Sequence, residues 1–255
     1  MDNKNILLAF IIICSLILLY TGWFKYSVMN TRPIGICTNA TGCETYYVHR
    51  EHSDPEAAAK LLEQITERND TLIKYLRNKY ETTSSTADPD KSGKIDIVHG
   101  SELYPDSITY SSLYESTMSN ISIREYLHER IEQLISHYSQ NRLYEISPLN
   151  SSGVTSYSED KKKLILCLRK KVPNEQGVYE LHDINTMMFV VLHELAHMCN
   201  DQWGHSKESN FWVLFKFLLV NSVECGIYEP VNYGPTPIVY CGLPLTYNPY
   251  YDSRL

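Results

Sequence analysis

The sequence predicts an α+β domain, in which a small β-sheet and several helices position one buried helix, preceded by a single N-terminal transmembrane helix. Three observations carry this expectation. Ile6 to Phe24 holds no formal charge and is bounded by Lys4 and Lys25. Two stretches, 53–80 and 122–138, repeat apolar residues at helical spacing and flank a polar linker. Short β-like runs between residues 154 and 181 then lead into an apolar helix-compatible run from Asn185 to Cys199. Hydrophobic content of 43% suffices for a packed core, and charged content of 21% argues against wholesale disorder. The 255 residues accommodate one ordinary domain and an attachment, divided as 1–26 anchor, 27–52 stalk or covering segment, and 53–255 folded domain.

At 1.5 Å per residue, Ile6 to Phe24 matches a hydrocarbon core of about 30 Å. Tyr20, Trp23 and Tyr26 fall where an interfacial aromatic belt lies. The run exceeds a usual signal-peptide core and lacks an A-x-A-like cleavage site, so an uncleaved anchor is expected. Lys4, Asp2, Lys25 and Arg32 leave its orientation open. Residues 27–52, with Pro33, Gly35 and Gly42, read as irregular.

Ser53-Asp54-Pro55-Glu56 is a helix start, with proline in the first turn and an acid at the positive end of the dipole. Leu61, Leu62, Ile65, Leu72, Tyr75 and Leu76 form its apolar stripe. Residues 82–93 (TTSSTADPDKSG) read as a linker, and 94–99 as a short strand. From 122 to 138, Ile123, Tyr126, Leu127, Ile131, Leu134 and Ile135 face inward. Residues 154–157 and 163–168 read as strands around a charged turn, with 178–181 as a third. Whether 163–168 is an edge strand able to pair with a peptide or an interior strand is open. After residue 205, Ser206 suits the cap of a helix that stops at Gly226. Its apolar run, Phe211 to Val220, is too short to span a bilayer and is expected to be buried.

The chemistry concentrates in His193-Glu194-Leu195-Ala196-His197, an H-E-x-x-H pattern, with Gly204-His205 beyond it and Asp183 as the N-cap. Residues four apart share a helix face, so His193 and His197 can address one ion while Glu194 stays free of it. Catalytic zinc takes three protein ligands and leaves a position for water, beside which a carboxylate serves as general base. The expected ligands are therefore His193, His197 and His205, with Glu194 as base and Zn2+ as cofactor. His205 is preferred because the polar stretch 200–204 can end the helix and fold the chain back; Glu208 and, more weakly, Asp201 are the competing third ligands.

This segment, with Phe211-Trp212 following, resembles the active-site segment of WLM/SprT-type zinc peptidases. Thr155-Ser156-Tyr157, Cys167-Leu168-Arg169, Leu181-His182-Asp183-Ile184-Asn185, Gly226-Ile227-Tyr228 and Tyr240-Cys241-Gly242 are similar to WLM-like metallopeptidases of giant DNA viruses. The resemblance spans about 140–245 and implies a zincin-like fold, the three histidines on zinc and Glu194 as catalytic base. The expected protein is a membrane-anchored metallopeptidase with protein or peptide substrates, a single-pass protein of a host or virion membrane. The alternative is a membrane-tethered binding or structural protein whose zinc never turns over, marked by a fourth protein ligand such as Cys199 or Asp201.

The net charge of -7 and pI near 5.7 give no nucleic-acid footprint. Beyond Cys14, six cysteines (Cys37, Cys43, Cys167, Cys199, Cys225, Cys241) and sequons at Asn39, Asn69, Asn120 and Asn150 are compatible with a disulfide-permissive compartment. Tyr240 or another tail tyrosine is a candidate to stabilise an oxyanion.

Overall fold

The computed structural model describes residues 10–15, 17, 30–38, 42–81, 123–138, 142–148, 156–159, 161, 163–200, 204–205 and 210–255. Strands β1 (Thr31–Thr38), β2 (Gly42–His49), β3 (Arg142–Glu145), β4 (Tyr157–Glu159) and β5 (Lys163–Leu166) form one sheet in the order β1-β2-β3-β5-β4. β1/β2 and β4/β5 are antiparallel, whereas β2/β3 and β3/β5 are parallel. Four helices, α1 (Pro55–Glu81), α2 (Ile123–Tyr138), α3 (Ile184–Cys199) and α4 (Phe211–Glu224), pack with it, and β6 (Ile238–Tyr240) and β7 (Leu243–Leu245) make a separate hairpin.

The segment 27–52 thus contains an eight-residue antiparallel pair rather than an irregular stalk, with Cys37 bonded to its cross-strand partner Cys43. Tyr47 of β2 pairs and stacks with Tyr144 of β3, which joins the hairpin to the rest of the sheet. β5 is interior, flanked by β3 and β4, and its Leu164, Ile165 and Leu166 are buried as a central strand requires. Among the described strands β1 and β4 are the two edges, and β4 is the one beside α3. Residues 178–181 contribute only an isolated bridge between Leu181 and Arg169.

Among the described residues no helix is long and apolar enough to cross a membrane. The expected N-terminal transmembrane helix, and with it the expected single-pass membrane protein, is corrected accordingly. Of Ile6 to Phe24, only 10–15 and 17 are described, as helix; six residues rise about 9 Å against a core of about 30 Å. The rest of that expectation, the linker at 82–93 and the strand at 94–99 lie outside the described residues.

The core is built where apolar faces coincide. α1 presents Leu62, Ile65, Leu72 and Leu76, all fully buried, and packs against α3 and α4. α3 and α4 are apolar on nearly every side, so each must be covered all round. Asn69, one of the sequon asparagines, is 0% exposed within α1, which closes it to a glycan in the folded chain.

The most deeply buried ion pair in this core joins Arg169 and Glu145. Arg169, 1% exposed, donates through Nε to Glu145 Oε1 at 2.7 Å, and its Nη1 meets Asp54 Oδ1 at 2.8 Å and Tyr179 O at 3.0 Å. Glu145 accepts the His49 amide at 2.8 Å through its other oxygen. The cluster therefore ties β2, β3, the end of β5 and the start of α1.

Candidate metal centre

Asp183 starts α3 as the sequence predicts: Oδ1 accepts the Thr186 amide at 2.8 Å and Oδ2 the Thr186 hydroxyl at 2.7 Å. Two turns later, helical spacing places His193 and His197 on one face. Gly204, at φ 94, takes the left-handed conformation that glycine adopts without strain and turns the chain so that His205 returns to that face. His205 Nε2 lies 3.1 Å from His193 Nε2 and 2.9 Å from His197 Nε2. The three form the group able to hold a metal ion among the described residues, with no fourth His, Cys, Asp or Glu in it.

Phe211, at the first turn of α4, is the floor of the cluster. Its ring centroid is 4.8, 4.4 and 4.5 Å from those of His193, His197 and His205. Trp212 donates from Nε1 to His205 O at 3.1 Å, fixing the turn that carries the third histidine. The sequence marks Phe211-Trp212 by resemblance and places them in an apolar run expected to be buried; their contacts with the three histidines needed the fold.

Desolvation shifts all three imidazoles toward the neutral form, although His205 is the exposed member of the group. Burial brings His193 down to about 3, with His197 and His205 beside it adding to the shift, and His197 down to about 4, with His205 and Lys161 adding; His205 is lowered by burial alone. Neutral imidazole is the form that donates a lone pair to a metal. Glu194 is 5% exposed, and burial raises its pKa to about 7, with the backbone of Ser158 in β4 opposing the shift. A carboxyl titrating near neutrality is suited to proton transfer.

The C-terminal carbonyls of α3 meet donors from three places. His137 Nδ1 lies 3.1 Å from Met198 O, Arg130 Nη1 3.4 Å from Cys199 O, and Lys161 Nζ 2.7 Å from Asn200 O. Such groups satisfy the last turn and oppose its negative dipole end. The sequence does not reveal them, because the partners are 39 to 69 residues apart.

Of the other sites raised by the sequence, Cys199 is buried away from the cluster, its thiol pushed up to about 12 by that burial. Asp201 and Glu208 lie outside the described residues. Tyr240 is 2% exposed, with its hydroxyl 2.6 Å from Ser156 Oγ, so it is sealed from any substrate.

No family model matches the chain, and no solved structure matches it. Three viral proteins are similar in sequence. "Uncharacterized protein 136R" of Invertebrate iridescent virus 6 is 34% identical over 89 residues, 33% of this chain and 47% of that protein. "Uncharacterized protein 042R" of Invertebrate iridescent virus 3 is 38% identical over 88 residues, 34% of this chain and 50% of that protein. "Uncharacterized protein R325" of Acanthamoeba polyphaga mimivirus is 30% identical over 183 residues, 68% of this chain and 87% of that protein. On that coverage, the chain belongs to the family of this uncharacterised mimivirus protein.

Proposed function

We propose that the chain is a zinc-dependent peptidase of the WLM/SprT type, with His193, His197 and His205 as ligands and Glu194 as general base. The observation that carries this reading is the convergence of three neutral imidazole nitrogens beside a buried carboxyl on the same helix. Tetrahedral zinc with Zn–N of about 2.0–2.1 Å sets ligand nitrogens about 3.3 Å apart. The spacings of 2.9 and 3.1 Å fit that requirement. A purely structural zinc site takes four protein ligands and has no use for Glu194.

When bound, zinc supplies Lewis acidity toward the scissile carbonyl and lowers the pKa of the attacking water. The chain's residues do the rest. Glu194 accepts the proton that water loses as it attacks and delivers it to the departing amine. The open edge of β4, lying beside α3, offers backbone groups to an extended substrate. Phe211 and the apolar faces of α3 and α4 exclude water from beneath the ligands.

The test compares wild type with Glu194→Gln for bound zinc and for cleavage of a mixed peptide library. The reading expects equal zinc in both and cleavage by wild type only. Zinc in both with cleavage by neither supports the non-catalytic alternative, and equal cleavage by both removes Glu194 from its role.

A further inference from the structure

The three histidines are not held alike. His193 and His197 stand on α3, whose backbone fixes them, whereas His205 stands beyond it on a turn and is the exposed member of the group. Trp212 of α4 ties that turn down, donating from Nε1 to His205 O at 3.1 Å with the two rings 5.8 Å apart. Tyr247 backs Trp212 in turn, its ring meeting the indole edge-on at 5.6 Å. Tyr247 opens the segment 247–255, which is anchored to the body of the fold at several points. Its hydroxyl donates to Asp252 Oδ2 at 2.8 Å, and Lys216, one helical turn past Trp212 on α4, donates from Nζ to Asp252 O at 2.6 Å and Leu255 O at 2.9 Å. Lys216 is buried, so those two carbonyls are what its ammonium needs there. On the other side, Asn248, also buried, donates to the Tyr228 hydroxyl at 2.9 Å and to Val231 O at 2.8 Å, and the Tyr251 hydroxyl donates to Pro230 O at 2.9 Å.

We propose that Trp212 and Tyr247 are positioning residues for the third metal ligand: the anchored segment 247–255 seats Tyr247 against Trp212, and Trp212 grips the His205 carbonyl so that the turn presents its imidazole to His193 and His197. The reason is entropic. A ligand on an unrestrained turn loses backbone and side-chain freedom when a metal captures it, whereas a ligand held beforehand has less to lose and binds more tightly. His193 and His197 receive that restraint from the helix, and His205 receives it from α4 and the segment behind it. Lys216 and Asn248 act one step further out, by anchoring the segment. This inference rests on the metal centre of the proposed function and is independent of peptide turnover.

The experiment measures, on the full chain, the zinc Kd by competition with a chromogenic chelator and the visible absorption spectrum of the cobalt(II)-loaded protein, which reports ligand geometry. Wild type is compared with Trp212→Phe, which keeps a ring and loses the N–H, with Tyr247→Ala, with the two combined, and with Asp183→Ala. The Kd is expected to rise about tenfold in each of the first two variants, the low end of the loss seen when outer partners of metal ligands are removed. Their cobalt bands shift or weaken as well. The combined variant binds zinc no more weakly than the weaker single one, because both changes act through one contact. Asp183→Ala, which removes the cap at the far end of α3, leaves Kd and spectrum at their wild-type values. Wild-type Kd and spectrum in both Trp212→Phe and Tyr247→Ala overturn the proposal. So does an Asp183→Ala protein that loses as much affinity as they do, since general loss of stability would then account for the effect. A folded wild type that takes up neither zinc nor cobalt overturns the metal centre itself, and the positioning role falls with it.

Discussion

Two polar clusters lie in this fold, one buried around Arg169 and one partly exposed around His205, and they are satisfied in opposite ways. Around Arg169, opposite charges from β3 and the start of α1 close on one guanidinium, pairing its Nε and Nη1 while Nη2 has no hydrogen-bond partner. Around His205, three basic nitrogens converge with no carboxylate or thiolate in the group among the described residues. The first cluster pairs charge with opposite charge and serves the fold. The second gathers three imidazole nitrogens with no acidic partner, an arrangement that a cation could join, and the proposed function rests on that asymmetry.

The contrast breaks most sharply in catalysis. Glu194→Gln is expected to lower kcat by about 10²- to 10⁴-fold, the usual contribution of a positioned base, while zinc content stays unchanged. Peptide hydrolysis and metal analysis of the same sample check both halves.

The next effect lies in the other cluster. Arg169→Met leaves Glu145 buried without its partner and should cost about 3–5 kcal/mol in denaturant unfolding, the same with and without chelator. By contrast, His197→Ala should alter the metal-free protein little and abolish the stabilisation that zinc gives wild type, about 4 kcal/mol at a thousandfold excess over Kd. Chelator dependence in Arg169→Met, or its absence in wild type, would erase the distinction between the clusters.

Acid separates them further. In the unfolded chain, imidazoles take up protons below about 6.5, whereas folded His193 and His197 do so only near 3 and 4. The unfolded state therefore binds more protons across that window. Stability of the metal-free chain is fully present above 6.5 and is lost as pH falls toward 4. Thermal unfolding from pH 7.5 to 4 checks the sign, and His193→Ala should flatten the slope.

The smallest effect is at the helix start. Asp183→Ala removes the cap on Thr186 and should cost about 1 kcal/mol without loss of zinc.

The same contrast explains what the sequence could say. The histidine site was legible because helical spacing, a Gly-containing turn and the Asp183 cap are local signals, and α3 runs from Ile184 to Cys199, close to the expected span. The charged cluster was not legible, since nothing near Arg169 or Glu145 announces a partner 24 residues away. The β1–β2 hairpin was missed because Pro33, Gly35 and Gly42 mask strands whose alternation is weak, and β3 because four residues carry little pattern. The β6–β7 hairpin did carry a signal in Cys241-Gly242, a pair suited to a two-residue turn. For the N-terminal apolar run, an uncharged stretch suggested a membrane span, and no described helix is long and apolar enough for one.

The most direct measurement is the zinc content of the full chain, purified without chelator, as wild type and as His205→Ala. The account predicts about one zinc per wild-type chain and a clear loss in the variant, because the third imidazole completes the site. A folded wild type without bound metal, or a His205→Ala protein that keeps it, would contradict the three-histidine centre.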